Sequence, residues 1–146
     1  MINVFQNTYD TRLQSWYQLR QSLENTSIEK KCIDIDNFWQ KVPLVNHYLH
    51  LDNMDEWPSP WELIYDNNYC TVARGLGMVY TLLLLGIHDV VFAEATDYNN
   101  EDLVLVLVNR AKYVLNYWPN TVVNNCLLDF TIKKTVPITD IITKLG

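Results

Sequence analysis

Residues 69–85, YCTVARGLGMVYTLLLL, are apolar almost without interruption, and a glycine follows them. A helix with one face in water would show a polar stripe at 3.6-residue spacing, so this segment is read as a helix buried on all sides. The rest of the chain must then form layers around it. Gly86 is the expected stop, because a left-handed residue closes a helix most easily when it has no side chain. Near the start of the same helix stand Gly75 and Gly77. Gly77 follows Cys70 by two turns, and the expectation is that a strand crosses close to the helix there.

Upstream the pattern is helical. Leu13, Trp16, Tyr17 and Leu23 recur at helical spacing and predict a helix over residues 11–23, capped by Asp10, with Arg12, Gln18 and Gln21 facing water. A second short helix is expected from Asp36, as its cap, to Lys41, with Pro43 closing it. Beyond Gly86 the period changes. Residues 88–94 (HDVVFAE), 102–109 (DLVLVLVN) and 113–117 (YVLNY) are β-branched or aliphatic runs, the last two forming a hairpin. Cys126, Leu128, Phe130 and Ile132 alternate with Leu127, Asp129, Thr131 and Lys133, which is a strand period. Pro137 then precedes Ile138, Ile141, Ile142 and Leu145, a short amphipathic helix. Helices, a buried cysteine-led helix and then an antiparallel sheet make the class α+β. With 146 residues, 49% of them hydrophobic, the chain can bury such a core as one domain, residues 1–146.

Charge narrows the partners. At a net charge of -6 and no Lys/Arg cluster, the chain would be repelled by phosphate backbones and anionic lipid, which argues against nucleic acid or membrane and leaves a protein partner or a homo-oligomer. The N-terminus has neither a basic region nor an apolar one, so no signal peptide is expected. Cys32, Cys70 and Cys126 are an odd number without CxxC spacing, which fits a reducing setting, cytoplasm or virion, better than a disulfide scaffold. Asparagine pairs at residues 67–68, 99–100 and 124–125 fit an AT-rich genome, phage genomes included.

Several short segments, in order, carry a resemblance. Trp57-Pro58-Ser59-Pro60-Trp61-Glu62 is similar to a Trp-x-Thr-Pro-x-Glu motif. Tyr69-Cys70-Thr71-Val72-Ala73 is similar to an Asp-Cys-Glu-x-x-Ala helix start, and Leu85-Gly86 to a Leu-Gly that ends that helix. Val45-Asn46 and Asp52 match a Val-Asn and an Asp upstream. Over residues 45–118 the chain thus resembles the transglutaminase-like cysteine peptidase superfamily, in particular its compact bacterial branch. The resemblance implies a papain/transglutaminase-like core and assigns Cys70 to the nucleophile position. Asp102 falls where the family's histidine segment begins, and Asn116 where its aspartate stands.

The consequence is chemical. In this family a histidine takes the cysteine's proton while an Asp or Asn orients the imidazole. An ordinary carboxylate (about 3.9) taking a proton from an ordinary thiol (about 8.5) is uphill by roughly 6 kcal/mol, and its charge opposes a thiolate. The resemblance therefore implies a degenerate enzyme kept as a binding or structural module, without a metal or other cofactor. Two alternatives stand beside it. One is an active cysteine hydrolase or acyltransferase in which Cys70 uses His47, His50 or His88, although His88 follows the helix by a length of about 25 Å. The other is a metal-dependent hydrolase around His47, His50 and Asp52 in HYLHLD. Trp57, Trp61, Tyr117 and Trp118 are candidate binding aromatics, of the types enriched at interface hot spots, or else covers for the core. Residues 97–102, DYNNED, read as a solvated loop, lacking the glycine and terminal glutamate of a calcium loop.

Overall fold

The computed structural model describes residues 3–45, 49–119, 121–122 and 130–145. Helix α1 (Tyr9–Leu23) begins two residues earlier than expected, because Thr8 rather than Asp10 accepts a first-turn N–H, that of Thr11. Arg12 does not face water. Its guanidinium donates to the carbonyls of Ile64 and Tyr65, each at 3.0 Å, at the C-terminal end of a later helix, where the backbone lacks partners of its own. Helix α2 (Ile28–Trp39) is capped by Ser27, so Asp36 is not a cap but a buried residue of its last turns. The inward spacing of Cys32, Ile35 and Trp39 was the signal for this longer helix.

The tryptophan segment leads into α3 (Pro60–Asp66). Ser59 and Glu62 form a reciprocal capping box and Pro60 occupies the first turn, where its missing N–H costs nothing. Asn67 ends this helix in the left-handed conformation, φ 51°. Helix α4 (Thr71–Leu84) then runs through the centre of the molecule. Gly86, at φ 83°, closes it as expected: the Ile87 N–H reaches the Leu82 carbonyl and the Gly86 N–H the Leu83 carbonyl, both at 3.0 Å.

Four antiparallel strands follow, β1 (Val90–Asp97), β2 (Asp102–Val108), β3 (Tyr113–Leu115) and β4 (Phe130–Val136), in the order β3-β2-β1-β4. The expected hairpin is β2–β3, with Val106 opposite Leu115. The alternating stretch that begins at Cys126 contributes β4 from Phe130 onward; residues 126–129 lie outside the described ones. Pairing of β1 with β4 shifts between Glu94 and Ala95, so Lys133 is an extra residue bulging from the ladder. In the loop of residues 98–101, Asp97 accepts the N–H groups of Asn99 and Glu101, so its carboxylate is engaged in shaping a turn. Helix α5 (Ile138–Ile142) buries Ile141. The architecture is α+β, five α-helices and a four-stranded antiparallel sheet among the described residues. None of these helices is long and apolar enough to cross a membrane.

One face of the sheet carries Phe92, Val106, Val108 and Leu115 into the same core as α4, while Ala95, Leu105, Leu107 and Val114 form a smaller cluster on the other face. The glycines decide how closely α4 approaches its neighbours, and here the expectation is corrected. A Cβ on Gly77 would lie 2.5 Å from the Trp39 indole, so it is α2, not a strand, that crosses there. The close approach to the sheet is at Gly75, where a Cβ would meet Phe92 of β1 and the side-chain amide of Asn116, both at 2.8 Å.

Candidate functional site at the head of helix α4

Cys70 is the N-cap residue of α4, extended at φ -122°, ψ -178°, and its side chain makes no capping hydrogen bond. A strand-like bridge between Leu44 and Tyr69 anchors the chain immediately before it, with the Val45 N–H on the Tyr69 carbonyl at 2.8 Å. Cys70 is 3% exposed. The open surface at this helix end belongs instead to Thr71 and Arg74, which with the buried Val72 wall two adjoining hollows of about 180 and 320 Å³. Both hollows share Asp102, Leu103 and Val104 on the sheet side.

Asn116, the residue after β3, is the most heavily bonded side chain of the site. It holds a left-handed conformation, φ 65°, which asparagine tolerates better than most residues. One amide nitrogen donates both to the Thr71 carbonyl at 3.0 Å and to the Val104 carbonyl at 2.8 Å, tying the start of α4 to β2. Its Oδ1 accepts from Arg74 Nε at 2.6 Å, and its own backbone N–H donates to Asp36 Oδ1 at 2.9 Å. Asn116 is thus a clamp between three elements. Only the second lone pair of its oxygen is left for an imidazole.

Asp36 lies under this clamp, 1% exposed. Burial raises its carboxyl above the usual range, against the lowering effects of the Asn116 N–H, the Gln40 side chain and the Arg74 charge. Its second oxygen has no hydrogen-bond partner. Desolvation likewise lowers the Arg74 guanidinium from its ordinary value, with Asp36 acting in the opposite sense. These two groups sense each other's charge without forming an ion pair among the described residues.

Asp102 opens β2 on the face that β2 turns toward α4, by alternation with Val106 and Val108. It is well exposed and shares Lys133 with Glu94, at 3.3 and 3.2 Å. The bulge that pushes Lys133 out of the β4 ladder delivers its ammonium to both carboxylates. His50 lines the wider hollow beside Thr71 and Val72. Asp52, on the same wall, is paired with Lys134. His88 is exposed between α4 and β1, and His47 lies outside the described residues. Among the described residues no three His, Cys, Asp or Glu side chains gather closely enough to hold a metal ion.

The four candidate aromatics separate. Trp57 is 4% exposed, its indole N–H on the His50 carbonyl at 2.9 Å and its ring against Phe92, so it is a core residue that braces the groove from beneath. Trp61 is 40% exposed on the α1–α3 side, away from the groove, edge-on to Trp16. Tyr117 and Trp118 line the smaller hollow, Trp118 being 67% exposed. Sequence reasoning did not find Arg74 or Asp36. Their partner Asn116 lies 42 and 80 residues away, and neither residue sits in a motif.

No protein-family model matches the chain, and no curated protein matches it in sequence.

Proposed function

We propose that the chain is a catalytically degenerate transglutaminase-like domain, with a papain/transglutaminase-like core, that has become a binding or assembly module of the kind a virion could use. A cysteine at the head of a central helix, a sheet packed on that helix, Asp102 on the facing side of β2 and Asn116 just after β3 support the resemblance in arrangement. The observation that carries the loss of activity is the state of the two partner positions. Asp102 is held by Lys133, and Asn116 has its amide nitrogen on two carbonyls and its oxygen on Arg74. A base would have to take a proton from a sulfur that is itself buried.

A second reading is favoured by His50, which shares the groove with the residues following Cys70. In that reading His50 is the base of an active hydrolase or acyltransferase. Ester and amide acyl probes separate the two. The binding-module reading expects no adduct from wild type, and Cys70→Ser to leave assembly intact. An adduct that Cys70→Ser and His50→Ala both abolish establishes the enzyme instead. Asp102→His adds a discriminating arm: a base restored beside an intact scaffold, oriented by the remaining lone pair of Asn116 Oδ1, raises thiol reactivity near neutral pH.

A further inference from the structure

Arg74 is the unfinished group of the groove. Its Nε is fixed on Asn116 Oδ1 at 2.6 Å, and Asn116 is pinned in turn by the Thr71 and Val104 carbonyls, so the guanidinium plane cannot swing freely. Neither terminal nitrogen has a hydrogen-bond or ion-pair partner among the described residues. Arg74 is half-buried at the side of a hollow of about 180 Å³, so these nitrogens are left to the solvent that fills it. The remaining walls are apolar or aromatic: Leu103, Val104, Tyr117 and Trp118. The Trp118 ring stands edge-on to Tyr117 at 6.2 Å and leaves most of its surface in water.

We infer that this hollow takes a peptide segment of a partner protein in which an acidic side chain stands beside an apolar one, the carboxylate forking onto the two free Arg74 nitrogens and its neighbour covering Trp118. The inference rests on the reading of the domain as a binding module and names what it binds. Size and charge both select this class. The hollow has room for a side chain rather than for a nucleotide. Asp102 at the rim and Asp36 beneath Arg74 repel a dianion more strongly than a monoanion, which favours a carboxylate over a phosphate. Lys133 holds Asp102 on the sheet side, which leaves Arg74 as the cation that faces the hollow.

The test is a titration of the ¹⁵N-labelled full chain, followed at the Arg74 Nε–H and Trp118 indole signals. The probes are N-acetyl-Glu-Leu-amide, its Gln counterpart and inorganic phosphate. The expected result is saturable movement of both signals with the Glu peptide, at least about tenfold tighter than with the Gln peptide and tighter than with phosphate. Arg74→Lys, which keeps the charge and loses the fork, weakens the Glu peptide toward the Gln value. Trp118→Ala weakens both peptides and, lying at the surface, provides the test should Arg74→Lys fail to fold. Equal affinity for the Glu and Gln peptides, phosphate binding as tight as the Glu peptide, or no movement of either signal overturns the inference. Acyl-probe labelling of the same samples separates the failures. A null titration with an unlabelled Cys70 removes the acidic-peptide ligand alone, whereas an acyl adduct on Cys70 removes the binding-module reading as well.

Discussion

The two ends of helix α4 solve the same problem, polar groups in an apolar setting, in opposite ways. In the second half of the helix, Thr81 is fully buried, yet every hydrogen-bonding capacity of its hydroxyl is met. It accepts the indole N–H groups of Trp16 and Trp39 at 2.9 and 3.0 Å and donates to the Gly77 carbonyl at 2.7 Å. Gly77 makes room for Trp39, and the two tryptophans pack edge-to-face. At the head of the helix the network of Asp36, Arg74 and Asn116 is larger but incomplete: one buried Asp36 oxygen has no partner, and the two terminal Arg74 nitrogens are left to the solvent of the hollow. A buried polar network that is only partly satisfied is costly. A buried carboxylate oxygen without a partner, beside an arginine fixed at the wall of a hollow, marks the head of α4 as the candidate site.

The largest effect should come from Thr81→Val, which keeps the volume and strands two buried indole N–H groups. At about 1–3 kcal/mol for each, unfolding in urea should show a loss of about 2–6 kcal/mol. A loss below 1 kcal/mol would mean that the far end of α4 is less finished than its geometry indicates, and the contrast with the head would fail.

Asn116→Ala is the matching change at the head. It removes the clamp on the Thr71 and Val104 carbonyls and places a Cβ residue without compensating bonds at φ 65°, at a cost of about 1–3 kcal/mol. Asn116→Gly loses the same bonds but not the backbone ease, and should recover up to about 1 kcal/mol of that. Equal stabilities of the two variants would show that the left-handed conformation does not matter here.

Asp36→Asn sharpens the comparison through pH. Because burial raises the folded-state carboxyl above its unfolded value, the folded protein holds the extra proton between the two, and stability falls as pH rises across that window. The variant has no such slope at this site. Its stability relative to wild type should therefore climb from below pH 4 through the folded-state midpoint and then level off. A relative stability that falls with pH would reverse the sign and place Asp36 in a favourable ion pair with Arg74.

What could be read in the sequence, and what could not, follows the range of the interactions. The Gly86 stop, the onset of β2 at Asp102 and the β2–β3 hairpin are set by residues a few positions apart, and local pattern shows them. Cys70 at a helix start was legible for the same reason. Arg12 was misplaced at the surface because its partners are the carbonyls of a helix about 50 residues away, and backbone carbonyls leave no trace in composition. Asp36 read as a cap because an acidic residue just ahead of NFWQK looks like one. Only the long-range bond to the Asn116 N–H shows it to be buried. The strand expected to cross at Gly77 failed more simply, since a glycine announces a close approach without saying what approaches.

The central claim, that Cys70 is packed into the head of α4 and has no base to activate it, is tested most directly by alkylating the native protein with iodoacetamide at pH 6 to 7 and following each cysteine by peptide mass. Cys32 provides the internal reference, being buried with its thiol pushed up to about 12 by desolvation and by the charge of Asp36. Cys70 should be modified as slowly as Cys32 and become reactive only as the protein unfolds. Modification of native Cys70 faster than free cysteine at the same pH would contradict it, and would mean that a base, His50 first among the candidates, still serves this sulfur.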